Sequence, residues 1–237
     1  MSLEKQTLIE KNLKEAFDEN TLKQRLSKED FDVLINSRQS LHYHKGQTVF
    51  ENGEQPKGVY FIVKGTVKLS KSGAYGKEQI LRFIKEDDMV GYRSILCGEQ
   101  FQAKAEAMTD IDCIFIPTEV FVHLLETDSQ FSYAMLQKIA YELGESSNTI
   151  TFLAQKTVRE RLAENLLLLE QKLGTDPEGY IRISLTREEI ANLIGTATES
   201  AIRLISEFKS DKLIEVDGRN IKILNHEKLI KLGHVVL

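Results

Sequence analysis

The chain has 237 residues, of which 41% are hydrophobic and 28% charged; 31 Lys+Arg stand against 36 Asp+Glu, a formal net charge of −5. Counting its glycines, the apolar share is about 47%, an ordinary globular figure that excludes intrinsic disorder, a collagen-like chain and a uniformly basic nucleic-acid coat. A local DNA-binding surface stays open, because recognition depends on where charge sits. At roughly 150 residues per domain, the length predicts one large domain or two small ones. Two cysteines, Cys97 and Cys113, are too few for a disulfide framework or an all-cysteine metal centre. The first residues alternate charged and apolar types without the apolar core of a signal peptide. The longest dense apolar run, Leu166–Leu169, is far short of the ~20 residues of a membrane span. The expected setting is soluble, reducing and cytoplasmic, with no membrane partner.

In chain order, residues 3–36 predict helix, with apolar positions at Leu22, Leu26, Phe31 and Leu34 and Ser27 as a cap. From about Leu41 to Pro117 the pattern changes to short β-rich runs at 48–50, 59–63, 66–70, 79–84 and 111–116, punctuated by glycines. Short strands at such spacing predict an antiparallel sandwich or barrel, so residues 1–117 are expected to form an α+β unit on a β-barrel core. Residues 118–155 predict one long helix, with Leu136, Ile139, Leu143, Ile150 and Leu153 recurring at the period of about 3.5 that suits a two-helix seam and a homodimer. Ser146 and Ser147 fall near that seam, either as a polar register device or where it opens onto a ligand pocket. Residues 156–237 predict a helix at 157–173, a loop at 175–179, a strand at 181–185, two short helices and a hairpin at 215–224. The Asp217-Gly218 pair marks the hairpin turn. That order is the order of a winged helix-turn-helix.

Thr186 and Glu189 form a capping-box pattern that opens the first short helix, and Gly195 supplies the turn to the second. Ala201, Ile202, Leu204, Ile205 and Phe208 include the face that must bury, leaving Glu199, Ser200 and Arg203 for the exposed face. The first turns of such a helix enter the major groove. Glutamate accepts from cytosine N4, and arginine grips guanine O6 and N7 with two donors. A structural alternative exists: residues 196–199 are themselves a capping-box pattern, with Arg203 as an i,i+4 salt-bridge partner of Glu199. Arg187, at the start of the first helix, and Arg219 and Asn220, beside the hairpin turn, are expected at phosphates.

These motifs resemble the Crp/Fnr family of bacterial transcription factors over nearly the whole chain. VYFIVKGTVKL at 59–69 is similar to the family's central β-roll repeat, Gly91 opens the segment corresponding to its phosphate-binding cassette, and LTREEIANLIG at 185–195 with Glu199 and Arg203 resembles its DNA-reading motif. The resemblance implies an N-terminal antiparallel, jelly-roll-like β-roll sensor (1–117), a dimerisation helix (118–155) and a C-terminal winged helix-turn-helix (156–237). It implies a homodimer on double-stranded DNA, activation through RNA polymerase by way of the 172–179 loop, and half-sites with a TGA core read by Glu199 and Arg203. Thr198 stands where the cyclic-AMP receptor has arginine, so flanking-base preference should differ. Ala197 replaces a common Ser or Thr at the helix start.

The sensor departs from the family pattern. In cyclic-AMP-binding members the cassette reads Gly-Glu and then Arg-Ser; here Gly91 is followed by Tyr92, and Gln102 and Ala103 replace the Arg and Ser. Gly91, Tyr92, Arg93, Ser94, Gln102 and Ala103, with Ser146 and Ser147, are the effector-pocket candidates. Arg93 and Lys104 leave positive charge for another anion, or simply face solvent. No cysteine precedes Cys97, which excludes the iron–sulfur set; Cys97 itself could act as a redox switch. The histidines 42, 44, 123, 226 and 234 leave haem open, and no metal site or cofactor is identifiable; His42-x-His44 is expected to be structural. The rival readings are a metal-dependent cupin enzyme, whose ligand spacing fails after His44, and an effector-binding regulatory subunit, for which residues 156–237 leave no catalytic domain. Residues 186–237 carry 8 Lys+Arg and 8 Asp+Glu, so the net −5 lies in the remainder.

Loss of the cassette arginine removes a charge-assisted bond worth about 1.5–3 kcal/mol. Isothermal calorimetry with cyclic AMP should therefore show no saturable heat; micromolar saturation would overturn the cassette argument.

Overall fold

The computed structural model describes residues 8, 11–12, 14–73 and 76–235. Much of the helix expected over 3–18 lies outside them. The chain divides into two compact units, one of residues 1–71 and 81–145, the other of 72–80 and 146–237.

In the first unit, α1 (Glu19–Arg25) and α2 (Lys28–Ser37) occupy the helical stretch expected to 36, and Ser27, expected as a cap, opens α2. The break is local chemistry: Ser27 caps α2 by accepting from the Asp30 amide, 3.0 Å away. Among the described residues eight strands follow: β1 (Gln39–Tyr43), β2 (Thr48–Phe50), β3 (Gly58–Lys64), β4 (Val67–Ser72), β5 (Glu78–Ile84), β6 (Met89–Val90), β7 (Lys104–Ala107) and β8 (Ile111–Pro117). They form two four-stranded sheets, ordered β1-β8-β3-β6 and β2-β7-β4-β5. The antiparallel β-roll is as expected, while β1, β6, β7 and the short helix α3 (Tyr92–Cys97) go beyond the strand runs read from sequence.

The near-continuous apolar run in β3 reflects burial on both faces. Ile62 packs with Phe50, Val67, Phe101 and Ala105 in the roll interior, whereas Val59 and Phe61 pack with Leu34, Phe121 and Phe131 beneath the helices. Gly65 has φ +94°, and a Cβ there would lie 2.4 Å from the Asp110 carbonyl oxygen, so only glycine lets the β3–β4 turn approach the β7–β8 turn.

The single helix expected over 118–155 is two, α4 (Thr118–Thr127) and α5 (Ser129–Gln155), separated by Asp128 at φ −109° and ψ 100°. Asp128 Oδ1 accepts from the amides of Gln130 (3.0 Å) and Phe131 (3.2 Å), and its Oδ2 lies 2.9 Å from Arg25 Nη2. An N-capping carboxylate in the middle of an apolar-periodic stretch starts a new helix.

In the second unit, α6 (Val158–Leu173) opens on a capping box between Thr157 and Glu160. α7 (Arg187–Ile194), α8 (Thr198–Ser210), the hairpin β9 (Ile214–Asp217) and β10 (Asn220–Ile223), and α9 (His226–Gly233) complete it. The strand expected at 181–185 is reduced to a bridge between Thr175 and Ile181. Ile181 donates to the Ile221 carbonyl, but Ile183 turns back to the Ile181 carbonyl, so a ladder cannot extend. The alternation survives: Ile181, Ile183 and Leu185 are buried.

Asp128 joins a cap to a mostly buried ion pair, so Asp128→Ala should cost ~3–5 kcal/mol in urea unfolding, since it strands the Arg25 charge. A loss below ~1 kcal/mol, the worth of a cap alone, would contradict that reading.

Candidate nucleic-acid interface and sensor site

The second unit exposes one face of α8 by burying the opposite one. Ala201, Leu204, Ile205 and Phe208 are buried, and the α7–α8 turn closes at Gly195, with φ +64°. The capping box expected at Thr186 and Glu189 is present, and it fixes the start of α7. Ile202, grouped by sequence with the apolar face, is 46% exposed: it stands one position beyond Ala201, about 100° further round the helix.

Glu199 and Arg203 are exposed and Thr198 and Ser200 half-buried, all within the first two turns of α8. Two observations separate the reading role from the structural alternative. The N-cap of α8 is Ala197, with no side-chain cap hydrogen bond, so no capping box ties Glu199 down. Arg203 faces Glu207 instead of Glu199, at 3.9 Å and with its own side chain 73% exposed. Glu207 is already held by Arg159 of α6 at 2.7 Å, and Arg159 also reaches Asp211 at 3.0 Å and lies 5.0 Å from the Phe208 ring centroid. An exposed pair of that kind is worth at most a few tenths of a kcal/mol, which leaves the Arg203 guanidinium available to another partner.

The remaining candidates differ. Arg187 is half-buried and donates through Nη2 to the Gly218 carbonyl (3.0 Å), tying the start of α7 to the wing. Asn220 accepts a hydrogen bond from the Ser184 hydroxyl, tying the wing to the 181–185 segment. Arg219 is exposed at the wing tip. The hairpin loop is Gly218-Arg219, with positive φ only at its first central residue, the φ pattern of a type II′ turn. Sequence reasoning missed Arg159, whose position as the second residue of α6 gave no sign of its distant partners.

In the first unit the cassette candidates lie on two sides of one turn. Gly91, with φ +100°, precedes α3, which carries Tyr92, Arg93 and Ser94. Tyr92 and Ser94 are buried, whereas Arg93 is exposed and lies 3.4 Å from Glu99. Gln102 is exposed, donating to the Gln100 carbonyl, and Ala103 is half-buried beside it. Lys104 pairs with Glu106 at 3.2 Å and Glu51 at 3.5 Å. The two cations that could have drawn an anion therefore already face carboxylates. Phe101 stacks on Phe50 with centroids 3.8 Å apart, filling the roll behind the cassette. Ser146 and Ser147 are exposed on α5 and belong to the second unit.

A buried ionic cluster beside Tyr92 was not anticipated. Lys138 of α5 is 6% exposed, pairs with Asp88 and with Glu142 (2.8 Å), and lies 5.6 Å from the Tyr92 ring centroid; Arg82 of β5 also pairs with Glu142. Burial disfavours the Glu142 carboxylate, but the Lys138 and Arg82 charges more than offset it and hold the carboxyl below its ordinary value of 4.5. Burial pushes the Tyr92 phenol up. The available signals were an arginine inside the apolar run of β5 and an i,i+4 Lys–Glu pair on an otherwise apolar helix face.

Along α5, Tyr133 (63% exposed), Leu136 (63%), Ile139 (37%), Leu143 (69%) and Ile150 (69%) form an exposed apolar stripe. Leu136, Leu143 and Ile150 repeat at heptad spacing, and Ser146 falls one heptad after Ile139.

Comparison with known proteins adds to this geometry. Residues 40–128 match the cyclic nucleotide-binding domain, and residues 160–232 match the Crp-like helix-turn-helix domain. The chain is 30% identical over 210 residues to the fumarate and nitrate reduction regulatory protein of Shigella dysenteriae, an alignment covering 87% of this chain and 82% of that protein. It is 28% identical over 201 residues to the CRP-like cAMP-activated global transcriptional regulator of Mycobacterium tuberculosis, covering 84% and 90%. Among solved structures, FixK2 from Bradyrhizobium japonicum is similar with a TM-score of 0.74 and 23% identity, covering 84% of this chain and 99% of that one. No helix among the described residues is long and apolar enough to cross a membrane.

A carboxyl with a depressed folded-state pKa adds stability above its unfolded value, and that stability is lost as pH falls through the folded value. In urea unfolding, the gap between wild type and Glu142→Gln should be constant above about pH 5 and close as the solution is acidified further. A gap independent of pH would contradict the cluster's electrostatics.

Proposed function

Because the chain belongs to the Crp/Fnr family of bacterial transcription regulators, we propose that it reads a two-fold-symmetric DNA site as a homodimer, with Glu199 and Arg203 contacting bases in TGA-like half-sites. It is a regulator with a cyclic nucleotide-binding-type domain and a helix-turn-helix, and it is not an enzyme, so the cupin and regulatory-subunit readings fall. The observation that carries the reading is the release of Arg203: an exposed guanidinium in the second turn of α8, whose acidic neighbour Glu207 is engaged by Arg159.

The exposed stripe on α5 supports the dimer, since a helix leaves such a seam uncovered only where a partner helix packs on it. Two copies then present α8 to successive major grooves, with half-site centres about 10–10.5 bp apart. Arg219 at the wing tip contacts phosphate, and Arg187 and Asn220 support the wing's position. The effector is a molecule other than cyclic AMP. The filled roll interior and the pairing of Arg93 and Lys104 argue against a cyclic phosphate in the cassette. The resemblance favours activation by contact with RNA polymerase.

Gel-shift titration tests the assignment. Arg203→Ala should cost ~1–3 kcal/mol of specific affinity and relax discrimination at one G·C pair per half-site. Unchanged affinity and base preference would remove Arg203 from the reading surface.

A further inference from the structure

The pair His42 and His44, expected from sequence to be structural, stands with Asp110 at the edge of the first sheet. One candidate ligand atom from each lies within 4.8 Å of the others, and all three residues are exposed. His42 lies in the edge strand β1, and His44 follows it just past the strand's end, two residues on. Their imidazole centroids are 4.8 Å apart. Asp110 comes from the turn before β8, whose register places Asp112 directly opposite His42.

Around these groups the structure provides the outer contacts of a metal centre. His42 Nδ1 lies 2.7 Å from Asp112 Oδ1; the carboxylate can only accept, so the proton sits on Nδ1, and in the neutral ring Nε2 carries the free lone pair. A carboxylate behind a histidine is the arrangement that orients metal-binding imidazoles and raises their basicity. Asp110 Oδ1 is fixed by the Lys45 amide at 2.9 Å and lies 3.7 Å from His44 Nδ1. The backbone beneath is rigid, through the β1–β8 ladder and the Gly46 amide bound to the Ala107 carbonyl at 2.7 Å.

The geometry points to a surface binding site for a divalent transition ion of the zinc class, held by His42, His44 and Asp110, with Asp112 orienting His42. Two imidazoles and one carboxylate are a zinc-type donor set, and three protein ligands leave a fourth tetrahedral position to water. With bonds of about 2.0–2.1 Å, tetrahedral ligand atoms sit about 3.4 Å apart, so the exposed side chains must draw together on binding. Rotamer adjustment of exposed side chains supplies that without moving the strands. The ion would clamp the turn after β1 to the turn before β8.

Calorimetric titration of the full chain, stripped with chelator and held at pH 7.5, with zinc chloride as the probe, tests this. One zinc should bind per chain with micromolar affinity. The double variant His42→Ala/His44→Ala should lose that equivalent, and Asp112→Asn should weaken it about tenfold or more. Zinc should raise the thermal unfolding midpoint of wild type but not of the double variant. Absence of saturable binding, or binding unchanged in the double variant, would overturn the assignment; all three side chains are exposed, so their removal leaves the fold intact.

Discussion

The apolar stripe along α5 is the constraint on which the arrangement turns. A helix that exposes Leu136, Leu143 and Ile150 at heptad spacing is stable in water only if something covers that edge. Full burial of each such side chain contributes roughly 1.5–3 kcal/mol, and a two-fold interface counts every one twice. The same helix begins inside the first unit, where Phe131, Ala134 and Met135 pack under the sheet, and ends in the second. Helix α5 therefore contributes residues to both units.

At its inner face α5 carries charge where apolar residues would be simpler. The Arg82–Glu142–Lys138–Asp88 cluster keeps two cations and two carboxylates out of water beside Tyr92. Buried ion pairs seldom add net stability over an apolar replacement, because desolvation nearly cancels their attraction. What such a cluster can supply is register: each member fits only one arrangement of β5, β6, α3 and α5. Tyr92, which follows Gly91 at the start of α3, is buried against this cluster, with Lys138 Nζ 5.6 Å from its ring centroid.

Much of this was legible in the sequence because it rests on local rules. The Thr186–Glu189 box, the Gly195 turn, the Asp217-Gly218 hairpin and the heptad spacing of α5 all appear where residue chemistry puts them. Where expectation and structure differ, a hydrogen bond that periodicity does not register decided the backbone's course. Asp128 starts a new helix by accepting from the Gln130 and Phe131 amides while pairing with Arg25 across 103 residues, and Ile183 donates back to the Ile181 carbonyl. The bonds of Arg187 to the Gly218 carbonyl, of Ser184 to Asn220 and of Arg159 to Glu207 likewise join residues far apart in sequence and left no local signal. His42 and His44 looked incidental until the β8 register brought Asp110 and Asp112 beside them.

The seam on α5 is tested most directly by the mass of the chain in solution. Sedimentation equilibrium of the wild-type chain should give twice the chain mass at micromolar concentration. The Leu136→Glu/Ile139→Glu variant, altered only at exposed positions, should sediment at the single-chain mass with unchanged helix content. A wild-type chain that sediments at the single-chain mass, or a variant that stays at twice that mass, would contradict it.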